Sequence, residues 1–240
     1  MYLKKFIKLI APTFLLQIYY DYKNKNKTYF GHHKLDFKLA KFLNYRNGYY
    51  IELGANDGIR QSNTYYFEKN LGWNGILIEP IKSKFIKCVK NRSKKNYIFN
   101  NACVGFNFKD KVIKMIYSDL MTTVNDNRIK TNLDSQKHAS DGEKYLQKND
   151  KIENFYADTV TLHQIFKKTN SPKLMDFLSL DVEGSEIEVL NGINFQEHNF
   201  KYILVESRDD IILKKFFVKK NYHFVKKISK RDLLFKYKKF

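Results

Sequence analysis

Apolar runs in this chain repeatedly end in carboxylates, glycines or amides, the groups that hold or polarise a small ligand. Glu52, Gly54, Ala55, Asn56, Asp57 and Gly58 close the run "GYYIEL". Glu79 and Pro80 close "GILI", and Asn101 and Ala102 follow "NYIFN". Asp181 and Glu183 follow "MDFLSL", and Glu206 lies at the end of "KYILVES". Glycines allow a backbone to turn closely around a ligand. Carboxylates accept from an ammonium or a pair of hydroxyls, and one held beside a reacting hydroxyl can act as general base.

These groups need a scaffold that collects strand ends at one edge. Tyr49–Leu53 reads as a buried strand, followed by a helix that Ser62 or Asn63 caps and Gly72 stops. Residues 75–78 form a second strand, with a lysine-rich helix over 82–90, and residues 96–100 a third strand. "KVIKMIYS" alternates with period two and reads as another strand. From 119 to 151 the pattern dissolves into polar residues, which predicts a lid-like insertion. Residues 159–168 read as helix, 175–180 as a fourth core strand, and 201–207 as a fifth. Between these two strands, Ser185 starts a helix that Gly192 ends. After a further helix, "NYHFVKKIS" and "RDLLFKYKK" read as an antiparallel hairpin. Strands separated by helix-length segments predict an α/β fold with a mostly parallel, doubly wound sheet closed by that hairpin. In such sheets ligands bind at the carboxyl ends of the strands, where the winding direction switches.

Composition sets outer bounds. With 43% hydrophobic and 16% aromatic residues over 240 positions, a sizeable core is expected. Two cysteines, Cys88 and Cys103, without CxxC spacing, point away from a disulfide framework and fit a reducing compartment. The net charge of +19 admits nucleic acid, an anionic membrane surface or an anionic glycan as partner. The same lysine excess also follows from AT-rich codons, as the abundance of Asn, Ile, Tyr and Phe suggests.

The loop "GANDG" narrows the ligand. A dinucleotide site wants G-x-G-x-x-G, and a P-loop wants G-K-[ST]; neither is present. Asp57 would sit badly beside a pyrophosphate. A ligand with an ammonium and a ribose but no phosphate fits better. Glu52 or Asp57 could meet the ammonium, and Glu79 could accept both ribose hydroxyls. Asn101 could face the adenine, with Ala102 and Val104 packed near the ring. That ligand is S-adenosylmethionine.

"GYYIELGANDGIRQSNTYYFEKNLGWNGILIEP" together with "VTLHQIF…DFLSLDVEGSEIEVLNGI…KYILVES" resembles the FkbM-type methyltransferases. The combination of E-x-G-A-N-x-G, I-E-P and D-V-E-G-x-E carries the resemblance, which spans roughly residues 48–207. It implies a class I, Rossmann-like methyltransferase fold over 48–240, use of S-adenosylmethionine, and O-methylation of sugars in glycans, glycolipids or glycosylated metabolites. Where the family often carries Asp in a T-L-D turn, this chain has His163.

A sugar hydroxyl needs its proton removed as the methyl arrives, so a base is expected. Asp181 is the first candidate, Glu183 the second and His163 the third. A divalent ion on Asp181, Glu183 or Glu206 is compatible with these side chains, but no ligand spacing diagnoses a metal. Base methylation of nucleic acid usually shows an Asn/Asp-Pro-Pro-aromatic loop after the fourth strand; here "DVEG" stands there. An RNA ribose 2′-O-methyltransferase, or a non-catalytic cofactor-binding domain, remains the alternative.

Residues 1–47 read as an amphipathic, helical extension. The stretch "MYLKKFIKLIAPTFLLQIYY" is basic at its start, and Lys8 and Pro12 interrupt its apolar clusters. It is too broken to span a bilayer, and no A-x-A-like cleavage site follows it. It either lies on an anionic membrane through Lys4, Lys5 and Lys8 or packs on the domain. A cytoplasmic location, at most peripheral to the inner face of a membrane, is the expectation.

Overall fold

The computed structural model describes residues 28–129, 131 and 133–240. Its main sheet has the order β10-β11-β9-β8-β1-β2-β3. The strands are β1 (Tyr49–Leu53), β2 (Asn74–Ile78), β3 (Tyr97–Phe99), β8 (Leu174–Leu180), β9 (Asn199–Glu206), β10 (Tyr222–Lys227) and β11 (Asp232–Tyr237). The first five run parallel, while β11 pairs antiparallel with both β9 and β10. The last strand thus lies inside, next to β9, and β10 forms the edge.

Alternation along these strands divides the core between two faces. Ile51, Leu53, Ile76, Ile78, Leu178, Leu180, Ile203 and Val205 point to one face. They meet α5 (Leu162–Lys168), α6 (Glu186–Leu190) and α7 (Asp210–Val218) through Phe166, Val189 and Phe217. Tyr50, Leu77, Phe177, Leu204 and Leu234 point to the other face. There they meet α1 (Leu35–Leu39), α2 (Tyr65–Leu71) and α3 (Lys82–Asn91) through Leu39, Phe67 and Cys88. Burial on both faces is why these strands read as nearly continuous apolar runs. Each large side chain so buried contributes on the order of 1.5–3 kcal/mol. Gly72 ends α2 in the left-handed region (φ 70°); its N–H donates to the Glu68 carbonyl, and the Trp73 N–H donates to that of Phe67. Trp73, just beyond, is buried and donates its Nε1–H to the Tyr45 carbonyl at 2.6 Å.

The N-terminal extension is not separate from the domain in its described part. Phe30, Leu35, Leu39 and Leu43 are buried, and the last three join Tyr50, Phe67 and Trp73 in one cluster. Gly31 also bridges to Gln61. Residues 1–20, expected on a membrane or on the domain, lie outside the described residues. Among the described residues no helix is long and apolar enough to cross a membrane.

The described part of the polar stretch 119–151 carries short elements of its own between turns. It holds a 3-10 turn at Asp119–Met121, β6 (Thr123–Val124) and α4 (Ser135–Asp141), which Asp134 caps by accepting from Lys137 N–H at 3.0 Å. It joins a second sheet of order β4-β7-β5-β6, with β4 (Ala102–Cys103), β5 (Val112–Tyr117) and β7 (Glu153–Val160). The expected helix start at Thr159 is corrected: β7 runs to Val160. Thr161 then caps α5, accepting from Gln164 N–H while Gln164 reaches back to the Thr161 N–H. β7 escapes a periodicity reading because it is mostly exposed, with Tyr156 at 68%.

Candidate active site

Register places the functional side chains. Leu53 pairs with Ile78 on one side and Leu180 on the other, and Leu180 pairs with Val205. The next residues, Glu79, Gly54, Asp181 and Glu206, therefore leave the sheet side by side. They line a cavity of about 440 Å³ with Asn56, Pro80, Asn101, Ala102 and Glu183, a size typical of small-ligand sites.

The floor is the turn after β1. Gly54 adopts φ 76°, and a Cβ there would stand 2.2 Å from the Asp181 carbonyl oxygen. Only glycine permits that approach between the ends of β1 and β8. Asn56 donates its N–H to Glu79 Oε2 at 2.8 Å, and Ile81 N–H donates to Glu79 Oε1 at 2.8 Å. Glu79 is 4% exposed. Burial pushes its pKa up to about 7, against the pull of the two amide bonds and of Lys84. Each oxygen accepts one backbone bond and keeps a lone pair for a ligand. Asn101 sits at the rim, its Nδ2 donating to the Asp158 carbonyl at 3.2 Å. Ala102 and Val104 both belong to the core of the second sheet, but only Ala102 reaches the cavity wall.

Several expected contacts do not form. Glu52 does not line the cavity. Its carboxylate accepts from Ser62 Oγ at 2.8 Å, Asn63 N–H at 2.7 Å, Thr64 Oγ1 at 2.6 Å and Arg92 at 3.3 Å. With those partners it is a buried anchor for the start of α2 and has no capacity left for an ammonium. Asp57 turns away as well, its Oδ1 capping the Ile59 and Arg60 N–H groups at 2.9 and 2.7 Å. Ala55 is buried in the core behind the turn, and Gly58 backs onto Arg92 and Cys88. His163 is also away from the cavity. It begins α5 beyond the second sheet, with its N–H on the Gly192 carbonyl at 2.9 Å and its ring beside Phe106.

The opposite wall is acidic. Asp181, Glu183 and Glu206 each bring a carboxylate oxygen within 4.8 Å of the others. Asp181 lines the cavity and is exposed to it. Its pKa is pushed well above the usual carboxylate range, first by desolvation and next by the charges of Glu206 and Glu183. Because the side chain meets the cavity's solvent, both desolvation and repulsion by its neighbours are weaker there than in a dry core. Glu183 takes a left-handed φ of 53°. Its Oε2 receives Arg208 at 2.9 Å, and His138 Nε2 lies 3.0 Å away. Glu206 faces Arg231 at 3.5 Å.

The sequence reading missed the residues that carry the insertion to this site. Asp119 is buried and pairs with Lys84 at 2.5 Å and Arg60 at 2.7 Å. Thr123 Oγ1 donates to the Glu183 carbonyl at 2.7 Å, and Thr131 Oγ1 to that of Gly184 at 3.3 Å. Arg92, at the end of a lysine-rich helix, is the other hidden residue. Its guanidinium is fully buried and also meets Glu68, the Tyr50 hydroxyl and the Gly58 carbonyl. Nothing in local spacing marks these long-range partners. Cys103 lines the cavity, but burial raises its thiol far from the thiolate form, so it is no nucleophile.

No curated protein matches the chain. Among solved structures, the chain is similar to a candidate RNA methyltransferase from Pyrococcus horikoshii at 11% identity and a TM-score of 0.39, over 85% of this chain and 82% of that one. It is also similar to a candidate caffeoyl-CoA O-methyltransferase from Staphylococcus aureus at 10% identity and a TM-score of 0.44, over 98% and 96%. At such identities no substrate carries over. The family described as Methyltransferase FkbM domain matches residues 52–227, from the strand before the Gly54 turn through β10. The chain belongs to the FkbM methyltransferase family, and the protein is a methyltransferase of the kind that uses S-adenosylmethionine.

Proposed function

We propose that the protein methylates a sugar hydroxyl of a glycan, glycolipid or glycosylated metabolite, with Asp181 as the base. The observation that carries the reading is the Asp181–Glu206 carboxylate pair, which shares one cavity with the Gly54 turn and Glu79.

The residues present fit the cofactor. The Gly54 turn leaves room where a side chain would collide, and the buried Glu79 carboxylate is poised to accept a diol. Pro80 and Ala102 give apolar wall, and Asn101 offers an amide at the edge. Glu52 and Asp57 are otherwise engaged, so neither of the carboxylates expected to meet the ammonium is free for it. When bound, S-adenosylmethionine supplies a methyl group already activated by its sulfonium. The protein then has to orient the acceptor and take its proton. A carboxylate whose pKa is raised by enclosure and like-charged neighbours is a stronger base than a free one. Glu206 and Glu183 give Asp181 that character, and Arg208 and Arg231 offset part of their charge. The insertion grips the loop carrying Glu183 through Thr123 and Thr131, and so sets the wall that an acceptor would meet. A membrane-borne glycolipid would suit the basic residues Lys4, Lys5 and Lys8, if they meet an anionic surface.

The test is transfer of labelled methyl from S-adenosylmethionine to extracted glycans, glycolipids and RNA, side by side. Label in the carbohydrate fractions is expected. Label in RNA alone would replace this reading with ribose 2′-O-methylation, and label in no fraction would leave a cofactor-binding domain.

A further inference from the structure

His163, Glu197 and His198 each bring one ligand atom to within 4.8 Å of the others. None of them lines the methyl-transfer cavity. His163 stands at the start of α5, and Glu197 and His198 close the connection between α6 and β9. Backbone bonds fix both segments. His163 N–H donates to the Gly192 carbonyl at 2.9 Å, and His198 N–H to that of Asn194 at 3.0 Å. Asn199 N–H then holds the Lys173 carbonyl at 2.8 Å. The two imidazole rings lie 6.1 Å apart, His163 beside Phe106 and His198 beside Phe166.

Two observations set this cluster apart from ordinary packing of histidine against aromatic rings. His198 is 6% exposed, and the Nδ1 atoms of both His163 and His198 are buried without a hydrogen-bond partner. Buried polar atoms are nearly always satisfied, so two orphaned imidazole nitrogens in one cluster mark a missing partner. A carboxylate also stands on the open side. Glu197 accepts from Asn194 Nδ2 at 2.8 Å through Oε1, and Lys167 meets its Oε2 at 2.5 Å.

We propose that His163, Glu197 and His198 form a binding site for a divalent transition-metal ion, with Zn²⁺ the plainest fit. Two neutral imidazoles and one carboxylate are a borderline donor set, suited to zinc and its neighbours rather than to Ca²⁺ or Mg²⁺. Bonds of about 2.0–2.2 Å to such ligands call for the three donor atoms, which already lie within 4.8 Å of one another, to close on the ion. Rotation of half-buried Glu197, which would release Lys167, and of the His163 ring would supply that closure. The fourth position is left to water. An ion there would clip α5 to the α6–β9 connection, behind the strands that carry Asp181 and Glu206. Its role is to brace the fold, apart from methyl transfer.

The test uses the full chain stripped of metal and titrated with Zn²⁺ against a competing chelator. One equivalent should bind. His163→Asn and His198→Asn should each weaken binding by roughly 10–100-fold or more, whereas Asp181→Asn and Glu206→Gln should leave it unchanged. Zn²⁺ at about 100 times its Kd should raise the wild-type Tm by about 5–10 °C, a rise lost in His198→Asn. Should either histidine variant fail to fold, Co²⁺ in the wild type decides by X-ray absorption. Two imidazole nitrogens support the site. No Zn²⁺ binding by the wild type, or coordination by oxygen alone, overturns it, as does binding that survives both histidine changes or disappears with Asp181.

Discussion

Glu79 Oε2 accepts the Asn56 backbone N–H at 2.8 Å, so one buried carboxylate joins the turn after β1 to the end of β2. The same carboxylate faces the cavity where the cofactor's ribose is expected, and this double use has a consequence for pH.

Burial raises the Glu79 pKa from 4.5 to about 7. Hydroxyls donating to Glu79 favour its ionised form, so binding should release a proton near neutrality. Affinity for S-adenosylmethionine is therefore expected to rise with pH through about 7, and Glu79→Gln should flatten that rise. For the free protein the sign is opposite. The raised pKa contributes stability that is fully present below pH 4.5 and is lost as pH climbs through about 7. Calorimetric titration and urea unfolding across that range check both slopes. A wild-type affinity independent of pH would remove Glu79 from the diol.

Arg92 is expected to be the most sensitive structural position outside the apolar core. Its guanidinium is fully buried and pairs with Glu52 and Glu68. Arg92→Met strands both carboxylates, and the loss should be about 3–5 kcal/mol, the usual cost of breaking a buried ion pair from one side. Urea denaturation measures it. A loss under about 1 kcal/mol would mean the carboxylates find other partners.

Asp119 ties the insertion to α3 and to the loop after β1 through Lys84 and Arg60. Asp119→Ala leaves Lys84 buried without its charge partner. Amide hydrogen exchange should then quicken across residues 123–145 while β1 and β8 stay protected. Uniform quickening across the chain would mean instead that Asp119 supports the whole fold.

Much of this architecture was readable because the parallel strands are buried on both faces. "YYIEL", "GILI" and "DFLSL" announce themselves as apolar runs, and the residues just beyond them are the cavity wall. Gly54, Glu79 and Asp181 were legible for that reason. Glu52 was not, because a carboxylate near a strand end looks the same whether it meets a ligand or a buried arginine. Only the fold brings Ser62, Thr64 and Arg92 to it. β7 was hidden because its side chains are mostly exposed, and the hold of Thr123 and Thr131 on the 181–184 loop spans more than 50 positions. His163 has the right chemistry for a base, but it follows β7, and the second sheet carries it away from the cavity.

The measurement that bears most directly on the proposed chemistry is turnover of Asp181→Asn on a glycan acceptor, paired with its cofactor affinity. If Asp181 takes the acceptor's proton, turnover should fall by roughly 10²–10⁴, with S-adenosylmethionine binding close to wild type. If the main loss is in cofactor affinity, Asp181 holds the ammonium rather than the proton. Unimpaired turnover in Asp181→Asn would contradict the assignment of Asp181 to the reacting centre.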